Sequence, residues 1–105
     1  MSKRQQILFK IKSSVMLEDP TAEVILYGSR ARGNFSKASD WDILILLAKN
    51  EQIDEAEDKL RDNLYEIELE TGEIISTLVY SKDYWTGKLK YSPLYDNVIR
   101  EGIRL

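Results

Sequence analysis

The apolar positions of this 105-residue chain change their period several times, and each change marks an element. Ile7, Leu8, Ile11, Val15 and Met16 recur at threes and fours, so residues 3 to 17 read as an amphipathic helix with its lysines outward. Asp19-Pro20-Thr21 ends it. The β-branched, apolar run from Glu23 to Tyr27 reads as a buried strand, and the Gly-, Ser-, Asn- and Arg-rich stretch 30 to 39 as a loop holding one short helical turn. A second strand is expected from Asp40 to Ala48. Ile53, Ala56, Leu60, Leu64 and Ile67 return to helical spacing within the longest helix, Glu51 to Glu70, with Gly72 just past its end.

Ile74 to Tyr80 reads as a third strand. Ser81 is placed to cap a short helix over Lys82 to Trp85, and Pro93 to open a last one over Leu94 to Glu101. The order α-β-β-α-β-α predicts an α/β (α+β) fold, a small mixed sheet packed by helices. No internal repeat or interdomain linker interrupts it, so residues 1 to 105 are expected to form a single domain.

Chemistry gathers where the first strand gives way to the second, in GSRARGNFSKASDWD at residues 28 to 42. Strand side chains alternate with period two, so Asp40 and Asp42 project from one face, where their charges repel unless a divalent cation lies between them. Gly28 lets backbone N–H groups approach an anion closely, and Ser29 adds a hydroxyl. Metal and phosphate together suggest nucleotide chemistry. Arg30, Arg32 and Lys37, in the intervening loop, either offset phosphate charge or are simply solvated. Trp41 points to the opposite face with Ile43 and Ile45 and reads as core.

Composition narrows the metal. The chain has no cysteine and no histidine, which leaves carboxylates as its strong ligands and favours Mg²⁺, with Mn²⁺ as second candidate. A net charge of −3 speaks against an extended grip on nucleic acid. No apolar stretch approaches the ~20 residues of a membrane span, and MSKRQQILFKIK has no signal-peptide core, so a cytoplasmic location is expected.

A Gly-Ser pair, ten residues, then Asp-x-Asp, at positions 28, 29, 40 and 42, resembles the signature of the DNA polymerase β-like nucleotidyltransferase superfamily, above all its minimal nucleotidyltransferases. The resemblance covers most of the chain and implies a polymerase β-like nucleotidyltransferase fold. It also implies two-metal nucleotidyl transfer, with Asp40 and Asp42 as catalytic residues holding two Mg²⁺ ions and Gly28 and Ser29 cradling the β- and γ-phosphates. Many such relatives are antitoxins paired with a HEPN-domain toxin, and some adenylylate it. The implied function is therefore Mg²⁺-dependent transfer of a nucleoside monophosphate, AMP from ATP, to a hydroxyl of a HEPN-type protein partner. The alternative is a degenerate transferase domain that neutralises its partner by contact. Homo-oligomerisation stays open.

One part of the pattern departs from the family. Active members usually carry a third carboxylate on a later strand, whereas IISTLVY offers Ser76 or Thr77 at that place, with Glu73 and Glu70 as nearby substitutes. Tyr84, Trp85, Tyr91 and Tyr95 form a late aromatic cluster that either packs over the sheet or stacks on a base or partner.

Overall fold

The computed structural model describes all residues from Met1 to Leu105. Helix α1 (Lys3–Glu18) starts in a reciprocal cap, in which the Ser2 hydroxyl accepts from the Gln5 backbone N–H and the Gln5 side chain accepts from that of Ser2. Strand β1 (Glu23–Tyr27) leads directly into α2 (Ser29–Arg32), the short helical turn expected in the loop. Strand β2 (Trp41–Leu47) begins one residue later than expected, leaving Asp40 just outside the ladder. Helix α3 (Ile53–Thr71) ends at Gly72, whose φ of 75° is the left-handed turn that glycine adopts at little cost.

Strand β3 (Ile75–Ser81) follows, then α4 (Lys82–Thr86), capped by Ser81, and α5 (Pro93–Glu101), capped by Ser92 with Pro93 in its first turn. A final strand, β4 (Ile103–Arg104), has no counterpart in the sequence reading. Two residues hold no period, and this pair becomes a strand only because Ile25 and Leu26 lie opposite Arg104 and Ile103.

The sheet order is β3-β2-β1-β4, with β2 and β3 parallel and the other pairs antiparallel, which makes it mixed as expected. On one face Ile7, Ile11 and Val15 of α1 and Leu60, Leu64 and Ile67 of α3 pack on Val24, Leu26, Trp41, Ile43, Ile45 and Leu47. On the other, Trp85 and Val98 cover Leu44 and Leu46. Covered on both faces, β2 reads WDILILL without alternation, and its one charged residue, Asp42, sits at its open end.

Candidate functional site at one sheet edge

Antiparallel pairing puts the end of β1 beside the start of β2, with Tyr27 opposite Asp42. Parallel pairing puts the start of β3 on the same edge, with Ser76 opposite Asp42, and β4 enters there too, with Ile103 opposite Leu26. Alternation sends Tyr27, Asp42 and Ser76 to the α4/α5 side, the side on which Ile25, Leu44, Leu78 and Tyr80 pack. The motif read along the chain is therefore assembled in space by pairing.

Gly28 turns the chain from β1 into α2 at φ 75° and ψ −160°. A Cβ there would lie 2.2 Å from Asp42 Oδ2 and 3.1 Å from its Cγ, so a side chain is excluded by the aspartate as well as by the backbone conformation. Its carbonyl accepts from Ala31 and Arg32, its N–H donates to Glu101 Oε1 at 3.2 Å, and Ser29 opens α2 beside it. Asp40 Oδ2 accepts from Ser76 Oγ at 2.9 Å.

The two carboxylates are not neutralised by the chain. None of the ion pairs in the fold involves Asp40 or Asp42. Burial pushes the Asp42 carboxyl above its ordinary value, the charge of Asp40 pushes it further, Arg32 partly offsets both, and Glu101 adds to the rise. Burial, then Asp42, then Tyr80 raise the neighbouring Tyr27 phenol to about 12, so it stays protonated and is no base at neutral pH.

Arg30 and Arg32, two residues apart, have separate tasks. Arg32 reaches both oxygens of Glu101 at 3.1 Å, beside the Gly28 turn. Arg30 is buried at 6% exposure and donates to the carbonyls of Ser39, Ser36 and Lys37, its guanidinium lying 4.1 Å from the Trp41 ring and 4.8 Å from that of Phe35. Trp41 belongs to the α1/α3 face, so the structure places the Arg30 guanidinium across the sheet from Asp42, where it clasps the loop. Lys37 also lines this far side, in a cavity of about 550 Å³ formed with Lys3, Arg4, Phe35 and Glu73. That cavity is apart from the aspartate edge.

The carboxylate question is decided by side. Glu73 accepts from Trp41 Nε1 and pairs with Lys3 and Arg30 on the far face, while Glu70 pairs with Lys10. Thr77 is buried among the residues facing α3. Ser76 alone of the four candidates touches the pair, through Asp40. Among the late aromatics, Trp85 is buried against Tyr80 and Tyr95, whereas Tyr84 and Tyr91 stay exposed.

No group of three His, Cys, Asp or Glu side chains stands ready to hold a metal. What the edge offers is two unneutralised oxygen-donor side chains, one with its charged form disfavoured by burial and by the charge of the other. This fits Mg²⁺ bound with a nucleotide, which typically takes one or two carboxylates and fills its remaining positions with phosphate oxygens and water. Glu101 is the residue that sequence reading missed at this edge. It lies 73 positions from Gly28, and on paper it is one more acidic residue at a helix end.

Comparison with known proteins agrees with this geometry. Residues 8–102 match the family model described as a nucleotidyltransferase domain. Two proteins of Methanocaldococcus jannaschii, both provisionally named protein adenylyltransferases, are similar to the chain. One is 35% identical over 74 residues, covering 70% of this chain and 74% of its own length. The other is 34% identical over 80 residues, covering 76% of this chain and 73% of its own length.

Proposed function

The chain belongs to the nucleotidyltransferase domain family, and we propose that within it this protein transfers AMP from ATP to a hydroxyl of a protein partner. The observation that carries the reading is the Gly28–Asp42 contact, which sets a side-chain-free backbone turn against one of two unpaired carboxylates at a single edge. The names of the two relatives supply the adenylyl group and the protein acceptor as the reaction to test.

In this reading residues 1–105 act as one minimal transferase domain. Gly28, Ser29 and Arg32 hold the β- and γ-phosphates, and Asp40 and Asp42 hold Mg²⁺. The metal, when bound, would activate the acceptor hydroxyl and neutralise charge on the departing pyrophosphate. The acceptor oxygen bonds to the α-phosphorus, the bond from that phosphorus to the α,β-bridging oxygen breaks, pyrophosphate leaves, and the hydroxyl proton passes to solvent. Arg30 holds the 36–39 loop in place behind the pair. The partner we propose is a HEPN-type toxin, neutralised by the modification.

Incubation with Mg²⁺, ATP labelled on its α-phosphate and such a partner should give a labelled partner, and Asp42→Asn should not. Absence of label, or equal label from Asp42→Asn, would contradict the reading.

A second reading is favoured by one observation, that Ser76 rather than a carboxylate faces Asp42 across the ladder. A domain short of one metal ligand could neutralise its partner by contact alone. Asp40→Asn separates the two, because loss of protection with the complex intact excludes contact as the whole mechanism.

A further inference from the structure

The backbone turn that would receive phosphate already holds an anion. Glu101, the last residue of α5, accepts from Gly28 N–H at 3.2 Å and from Arg32 Nη1 at 3.1 Å through each of its oxygens. Its side chain is 18% exposed, so this is a seated carboxylate and not a swinging surface group. The three contacts come from one backbone donor and one guanidinium, the pair of donor types that bind a phosphate oxygen through charge-assisted hydrogen bonds.

We propose that Glu101 is an internal occupant of the phosphate cradle, and that the nucleotide must displace it from Gly28 N–H and Arg32. The proposal rests on the nucleotide-binding reading above.

The fold explains why the carboxylate is there. Helix α5 runs down the face that carries Asp42 and ends over the Gly28 turn, because β4 must pair with β1 immediately afterwards. Gly102, between the two, packs 2.5 Å from Val98 O as measured from an ideal Cβ, and 2.9 Å from the Ile25 side chain, so no larger residue fits and the end of α5 is pinned. The position of Glu101 is thereby fixed by backbone packing.

Two consequences follow. With Asp40 and Asp42 unpaired at this edge and the charge of Arg32 already taken by Glu101, a bare polyphosphate meets net negative charge, so the free site discriminates against nucleotide that arrives without a divalent cation. Once displaced, Glu101 leaves Arg32 free to take the phosphate, so the exchange swaps one anion for another at the same donors.

The test is nucleotide binding, measured by calorimetry on wild type and Glu101→Gln, each with Mg²⁺ and with chelator. Glutamine keeps an oxygen acceptor for Gly28 N–H but removes the competing charge. Glu101→Gln should bind ATP about threefold or more tightly than wild type, with the larger gain in chelator. Equal or weaker binding by the variant would overturn the proposal and leave the nucleotide reading intact. Binding by neither protein would overturn both.

A purely structural tether would instead lower the melting temperature of Glu101→Gln without tightening ATP binding. Should the variant fail to fold, the wild type decides. The Glu101 side-chain carboxyl resonance must move when Mg²⁺ and ATP saturate the protein, and an unmoved resonance overturns the displacement.

Discussion

Gly28 and Asp42 lie so close that a single methyl group on the glycine would stand 2.2 Å from the aspartate oxygen. Gly28→Ala therefore meets two obstacles, a φ of 75° that L residues avoid and a direct clash with a carboxylate. Backbone strain of this kind costs about 1–3 kcal/mol. The melting temperature should fall by about 4–8 °C per kcal/mol in a domain of this size, and label transfer should be lost even at temperatures where the variant is folded. Unchanged melting would show that the turn is not held as described.

The unpaired charge of Asp42 makes a prediction of opposite sign for stability. Its carboxyl is pushed up by burial and by Asp40, so the ionised form is unfavourable in the free protein. Asp42→Asn should raise the melting temperature in chelator while abolishing any rise on adding Mg²⁺ with ATP. A variant less stable than wild type in chelator would contradict this.

Removing Arg30 should damage the fold more than the chemistry requires. Its guanidinium joins three loop carbonyls, two aromatic rings and Glu73. Arg30→Ala should cost about 2–4 kcal/mol by denaturant unfolding, and Arg30→Lys should recover only part, since an ammonium lacks the planar fork.

The same cluster sets an acid limit. The hydrogen bond from Lys3, then that from Trp41, outweigh burial and hold the Glu73 carboxyl below its ordinary 4.5. A depressed carboxyl stabilises the fold above its unfolded value and loses that contribution as pH falls through the lower, folded value. Urea midpoints of wild type and Glu73→Gln should differ at pH 7 and converge below pH 4.5 as acid removes the charge from wild type. A constant difference across that range would show that Glu73 acts by shape alone.

Much of this was legible in the sequence, and the reasons differ by residue. Gly28, Asp40 and Asp42 sit in one short segment between two apolar runs, so local pattern sufficed to bring them to one edge. Ser81 and Gly72 cap helices and Pro93 opens the last one, as their chemistry suggests. Arg30 looked the same as Arg32 on paper. Only the sheet, by sending Trp41 to the α1/α3 side, gives the first a stacking partner and leaves the second beside the Gly28 turn. Glu101 and β4 were illegible because neither carries a local signal. Both are defined by what α5 and β1 bring together across more than 70 positions.

Ser76 offers a gain-of-function check. It faces Asp42 across the ladder and donates to Asp40, so Ser76→Asp would place a third carboxylate beside the pair. Affinity for Mg²⁺ should rise by about tenfold or more, since charge count tunes such sites, and stability in chelator should fall. Faster label transfer would show that the missing carboxylate had limited turnover.

Whether nucleotide and metal meet at the Gly28–Asp42 edge is read out by an amide NMR titration of the wild type with ATP and Mg²⁺. Shifts should centre on Gly28 to Arg32, Asp40 to Asp42, Ser76 and Glu101, and be absent in Asp42→Asn. Shifts centred instead on Lys3, Arg4, Phe35 and Lys37, the basic cavity across the sheet, would contradict it.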